Sequence, residues 1–93
     1  MKHYIIVKFK KDTDWKAMLP DIQKVFDKAL LIEGVSGVSL YPSNSLRANR
    51  YDLMIELNMT PEGLERYDVS EMHREWKRDY GAFIEAKTIF DCD

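Results

Sequence analysis

The order of the hydrophobic patterns along the chain is the feature that most restricts its fold. Residue composition or strict alternation typical of strands occurs in four stretches: residues 3–10, 34–42, 50–57 and 82–91. Apolar residues at helical spacing occur in two longer stretches, residues 12–34 and 60–80. The order strand–helix–strand–strand–helix–strand predicts one α+β domain over residues 1–93, with both helices on one face of a four-stranded antiparallel sheet.

This order is the ferredoxin-like βαββαβ arrangement. The first strand, HYIIVKFK, is apolar on both sides at its start, which predicts a central position in the sheet, whereas the polar alternation of 34–42 predicts an edge strand. The helices leave the other sheet face uncovered. Because its residues are too apolar to remain in water, we expect either a homodimer or a ligand on that face.

The first helical stretch carries one apolar stripe, made of Trp15, Met18, Leu19, Ile22, Val25, Phe26, Ala29 and Leu30. Pro20 interrupts it, because proline removes a hydrogen bond and clashes with the preceding turn. We therefore predict a short turn at 14–18, a main helix from about Pro20 to Leu31, and an end at Gly34.

The second helical stretch contains two N-terminal signals. Thr60 with Pro61 begins one helix, and Ser70 can cap a second helix, so a break is predicted between Asp68 and Ser70. Tyr67 and His73 would lie about 120° apart on an unbroken helix, but the break allows them to face one space. The alternative is a half-buried histidine whose hydrogen bonds are satisfied within a solvated helix.

Charge and composition exclude several classes of function. The net charge of −2 argues against nucleic-acid binding, and no apolar stretch approaches the length of a membrane span. The one cysteine, Cys92, cannot form an internal disulfide, so a reducing, cytoplasmic setting is expected. No phosphate-binding glycine loop, CxxC, HExxH or GxSxG motif is present, and we expect no cofactor and no metal.

Several segments together resemble the stress-responsive dimeric α/β-barrel (Dabb) domain family. They are KHYIIVKFK, IEGV, YDLMIEL, the tyrosine and histidine of Y-x5-H, and IFD, in the family's order and spacing. The resemblance implies a dimer in which two sheets pack into a barrel with the helices outside. Most members have no established activity, but the olivetolic acid cyclase-like members close a linear polyketide by aldol condensation.

The resemblance to the cyclase-like members also implies site residues. Their tyrosine–histidine pair falls on Tyr67 and His73, and a pocket histidine falls on His3. Pocket-lining positions fall on Ile5, Val7, Leu53, Ile55 and Trp76, whereas Lys87 stands where the cyclase-like members have an apolar residue. Three functions follow as expectations: a protein that binds a small apolar or carbonyl-containing molecule, a cyclase-type enzyme with His73 as general base, or a non-catalytic structural dimer.

Overall fold

The computed structural model describes all residues from Met1 to Asp93. The strands are β1 (Lys2–Phe9), β2 (Val35–Pro42), β3 (Leu53–Met59) and β4 (Ile84–Cys92). The α-helices are α1 (Trp15–Asp27), α2 (Pro61–Asp68) and α3 (Glu71–Tyr80), and 3₁₀ turns follow α1 at Lys28–Leu31 and α3 at Gly81–Phe83. The predicted ferredoxin-like order is confirmed, although β3 begins and ends a few residues later than its alternation predicts. No helix has the length and apolar character that crossing a membrane requires.

The sheet is antiparallel throughout, with the order β2-β3-β1-β4. The central position of β1 and the edge position of β2 are therefore confirmed. One face of the sheet packs against the helices, and its central strands supply the buried residues His3, Ile5, Val7, Phe9, Leu53, Ile55, Leu57 and Met59. Because β4 is the other edge, none of its side chains is buried, and this face remains accessible along β4.

The predicted interruption at Pro20 is wrong, because α1 runs through it from Trp15 to Asp27. Pro20 and Lys16, whose carbonyl loses its helical partner, are both exposed, so water can solvate the freed group. After Pro20 the stripe packs in the core through Ile22, Val25, Phe26 and Ala29, and before it Trp15, Met18 and Leu19 are partly buried against that core. Leu30, which was expected in the stripe, belongs to the following 3₁₀ turn and is 48% exposed.

The predicted break in the second helical region is confirmed. Thr60 and Ser70 each cap a helix, and their side-chain oxygens accept hydrogen bonds from the backbone N–H groups of Gly63 and His73. Two short helices therefore stand where one amphipathic pattern runs through the sequence. The break lies beside the cleft described below.

Candidate functional site

A cleft of about 300 Å³ lies between β1, β4 and the paired helices α2 and α3. Its walls are formed by His3, Ile5, Leu64, Tyr67, Asp68, His73, Trp76, Lys87, Ile89 and Asp91. The protein has two histidines, and both line this cleft. Three other depressions of comparable volume contain no histidine. This cleft is therefore the candidate site on chemical grounds.

Tyr67 lies between the two histidines. Its ring centroid is 5.7 Å from that of His3 and 4.7 Å from that of His73. The side chain is 1% exposed, and its hydroxyl meets no hydrogen-bond partner within the protein. Burial raises the pKa of Tyr67 well above its ordinary range, and the charge of Asp68 adds to the rise. The hydroxyl is therefore a neutral donor that has been removed from water without compensation.

The helix break fixes the orientation of His73. The last carbonyls of α2 have no partner in that helix, and His73 Nδ1–H donates to the carbonyl of Asp68 at 3.1 Å. In the neutral ring, Nε2 then carries the lone pair. Burial is the main cause of the lowered pKa of His73, and the charges of Lys77 and Lys87 lower it further. His73 is therefore held as a neutral imidazole that can accept a proton at Nε2.

His3 reaches the cleft from the central strand and is 6% exposed. The register places Asp91 of β4 directly opposite His3, and His3 Nδ1–H donates to Asp91 Oδ1 at 2.5 Å. A carboxylate on one ring nitrogen orients the imidazole and leaves Nε2 as the second functional nitrogen. In both histidines, Nδ1 therefore forms a hydrogen bond within the protein that orients the ring.

The structure brings most of the predicted residues together. His3, Tyr67 and His73 line one cleft, and Ile5 and Trp76 add apolar wall. The other three predicted pocket positions, Val7, Leu53 and Ile55, do not line the cleft. They are at most 1% exposed and belong to the hydrophobic core.

Of the outer wall of the cleft, sequence reasoning named Lys87 through the family resemblance and missed Ile89 and Asp91. Lys87, Ile89 and Asp91 alternate along β4 and share the helix-facing side of the sheet, since they pair with Val7, Ile5 and His3. Their alternation in the sequence indicates that the three side chains share one face of the strand. Only the register shows that this face lines the cleft, because the sequence does not say which face of an edge strand the helices leave accessible.

Comparison with known proteins finds similarity in structure. No family model matches the chain, and no curated protein matches it in sequence. A Dabb family protein with a ferredoxin-like fold from Mesorhizobium loti has a TM-score of 0.76 at 18% identity, covering 99% of this chain and 93% of its own. The fold is that of the Dabb proteins. The resemblance suggested by the sequence therefore holds for the fold.

Two further structures indicate the range of proteins with this fold. A dimeric ferredoxin-like protein of unknown function from Jannaschia has a TM-score of 0.80 at 14% identity, covering 99% of this chain and 96% of that one. The hydroxynitrile lyase of Passiflora edulis has a TM-score of 0.75 at 11% identity, covering 96% and 87%. The fold thus occurs both in an enzyme and in proteins without an assigned function.

Proposed function

We propose that this chain is a Dabb-type protein whose cleft binds a small carbonyl-containing molecule. The volume of about 300 Å³ is at the lower end of the usual range for ligand sites. Apolar walls with a few convergent polar groups are typical of such sites. The cleft is also not filled by side chains, which favours ligand binding over a purely structural role.

The unpaired hydroxyl of Tyr67 is the observation that carries this proposal. A buried donor without an acceptor costs about 1–3 kcal/mol, and the protein itself supplies no acceptor. A carbonyl oxygen is an acceptor of suitable size and removes this cost when it accepts the bond. Tyr67 lines the cleft, so a ligand bound there lies beside this side chain.

Nuclear magnetic resonance of the labelled protein tests binding with acetophenone as the probe. The indole N–H of Trp76 reports on the cleft, and that of Trp15, which stacks on Phe9 away from it, is an internal control. We expect acetophenone to shift the Trp76 signal and to bind more tightly than ethylbenzene, which is similar in size and lacks the carbonyl. Tyr67→Phe should abolish this preference. Equal binding of both probes by the wild-type protein contradicts the proposal.

A proton-transfer reaction of the cyclase type is the second candidate function. The neutral His73, with Nδ1 held by the carbonyl of Asp68, supports it because Nε2 is then a base. Tyr67 would donate to the oxyanion that develops on the substrate carbonyl, and His3 would hydrogen-bond the same group. The occurrence of the fold in a hydroxynitrile lyase is consistent with catalysis in such a cleft.

Exchange of the methyl protons of acetophenone for deuterium measures this activity. His73 would take a proton from the carbon beside the carbonyl, and deuterium from solvent would return. We expect exchange above the buffer rate, lowered about 10²–10⁴-fold by His73→Ala. Circular dichroism checks that the variant remains folded. Exchange at the buffer rate in the wild-type protein would refute the enzymatic candidate and leave the binding proposal standing.

We also propose that a second copy of the chain covers the open face of the sheet. This face, opposite to the helices, carries Tyr4, Ile6, Tyr41, Met54, Glu56 and Phe90. Tyr41 and Phe90 are 47% and 57% exposed. At the centre of the face, Glu56 accepts hydrogen bonds from the hydroxyls of Tyr4 at 2.9 Å and Tyr41 at 3.2 Å, and Lys2 Nζ lies 3.9 Å from the same carboxylate. The dimeric neighbour supports the proposal by analogy of fold.

Sedimentation at micromolar concentration tests the dimer, whose interface should bury on the order of 1,600 Å². Phe90→Glu should give a monomer, because it puts a charge into the apolar face. Leu31→Glu is the matched control: Leu31 is 89% exposed and lies in the 3₁₀ turn after α1, away from that face. A wild-type monomer contradicts the dimer, as does dissociation by both variants alike.

A further inference from the structure

Lys87 is the one lysine or arginine on the wall of the cleft. It extends from β4 on the helix-facing side of the sheet, opposite Val7, at the edge that the helices do not cover. Its ammonium forms no ion pair within 4 Å and no hydrogen bond within the protein. A cation in this position is available to a ligand.

Neither acidic side chain of the cleft forms an ion pair with Lys87. Asp91 is already held by the ring of His3 at 2.5 Å. Asp68, at the end of α2, forms no ion pair, and its carbonyl accepts the bond from His73. The charge of Asp68 raises the pKa of His73 and the charge of Lys87 lowers it. One unpaired carboxylate and one unpaired ammonium are therefore both near the His73 ring.

We propose that the cleft selects carbonyl compounds that also bear a carboxylate, with the carboxylate bound by Lys87 and the carbonyl directed at Tyr67 and His73. The proposal rests on the function proposed above and names the class of ligand. A monoanion matches a single ammonium. A dianionic phosphate would leave one charge uncompensated and would be repelled by Asp68 more strongly than a carboxylate. The apolar residues Ile5, Leu64, Trp76 and Ile89 line the same cleft and can hold the body of the ligand.

Two probes of nearly equal shape isolate the effect of the ligand's negative charge on binding. 4-Acetylbenzoate and 4-acetylbenzamide share the aryl ketone, and only the benzoate carries a negative charge at neutral pH. Titration followed by the Trp76 indole signal should give a Kd about 3–10-fold lower for the benzoate, as expected for a partly exposed charge-assisted hydrogen bond. High salt should reduce this ratio, because screening weakens exposed ion pairs.

Lys87→Met removes the ammonium and keeps most of the length of the side chain, so it should bring the ratio of the two Kd values to about one. Lys77→Met is the matched control. Lys77 is exposed on α3, and its charge also lowers the pKa of His73, but it does not line the cleft. The control variant should keep the preference for the benzoate. If both variants lose the preference equally, the preference comes from the overall positive electrostatic potential near the cleft and not from Lys87. That result would overturn the proposal.

The outcomes separate this inference from the proposed function. If the wild-type protein binds both probes equally, and Tyr67→Phe weakens both, the carbonyl site stands and the carboxylate selectivity is refuted. If neither aryl ketone binds up to millimolar concentration, both proposals are refuted. Tighter binding of the benzoate that persists in Lys87→Met also overturns the assignment to Lys87.

Discussion

Replacing Tyr67 by phenylalanine should make the protein more stable, which is unusual for a change at a side chain that is 1% exposed. The substitution keeps the ring, with its contacts to His3 and His73, and removes a hydroxyl that has no partner within the protein. In the unfolded chain this hydroxyl is hydrated, so folding loses hydrogen bonds to water and gains none in return. The penalty of about 1–3 kcal/mol should disappear, and we expect a stabilisation of about 1 kcal/mol.

Two other tyrosines supply matched controls, for which we expect different changes in the free energy of unfolding. Tyr80 stacks on Trp76 at 5.4 Å, is only half-buried and makes no side-chain hydrogen bond, so Tyr80→Phe should change stability by less than about 0.5 kcal/mol. Tyr4 donates to Glu56 at 2.9 Å. Tyr4→Phe should therefore destabilise the protein, because it removes this hydrogen bond.

Urea unfolding followed by circular dichroism measures all three changes at one fixed protein concentration, because unfolding of a dimer depends on concentration. With a slope of about 1–1.5 kcal/mol per molar urea, the midpoint of Tyr67→Phe should rise by roughly 0.7–1 M. A fall of that midpoint would mean that the hydroxyl is satisfied in solution. That result would remove the main support for a carbonyl site.

Four further substitutions, one of them a control, test the packing and the electrostatics. Trp76→Ala should destabilise by about 3–5 kcal/mol in urea unfolding, because Trp76 is 1% exposed and packs edge-on against Phe26 at 4.9 Å; a loss below about 1 kcal/mol contradicts the burial. Gly63→Ala should cost about 1–3 kcal/mol, because the added Cβ would lie 2.7 Å from the backbone of Gly34, whereas Gly81→Ala, which meets nothing within 4 Å, should be neutral or stabilising. The pKa of His73 is lowered from 6.5, so its neutral form contributes stability that is fully present above about pH 6.5 and is lost as the pH falls through the lowered pKa. His73→Gln should therefore flatten the fall in unfolding free energy below pH 6.5, and an unchanged slope would contradict the shift.

Local chemistry explains why the break between α2 and α3 could be predicted. Thr60 and Ser70 each place a side-chain oxygen where a helix N-terminus needs an acceptor, and the two signals lie ten residues apart in the sequence. The same local reasoning failed at Pro20. There the packing of Ile22, Val25 and Phe26 on the sheet stabilises a continuous helix. The hydrogen bond lost at the proline costs less because the carbonyl that loses its partner is exposed to water.

The contacts that complete the site depend on the register of distant strands. His3 and Asp91 are 88 positions apart, and no pattern near either residue indicates their hydrogen bond. A second limit of sequence patterns is shown by Val7, Leu53 and Ile55, which were predicted to line the pocket. Their alternation identifies the buried face of the sheet, but only the placement of the helices decides which part of that face is core and which part lines the cleft.

The cleft itself follows from two departures from ideal packing. The helical region breaks at Val69 and Ser70, and β4 forms an edge whose helix-facing side is left accessible. The break frees the carbonyl of Asp68, which then orients His73, and the accessible edge leaves Lys87 unpaired beside it. A chain selected for stability alone would fill this space and place phenylalanine at position 67. An unsatisfied hydroxyl beside an oriented imidazole is therefore a local cost in stability, which the proposed binding function would explain.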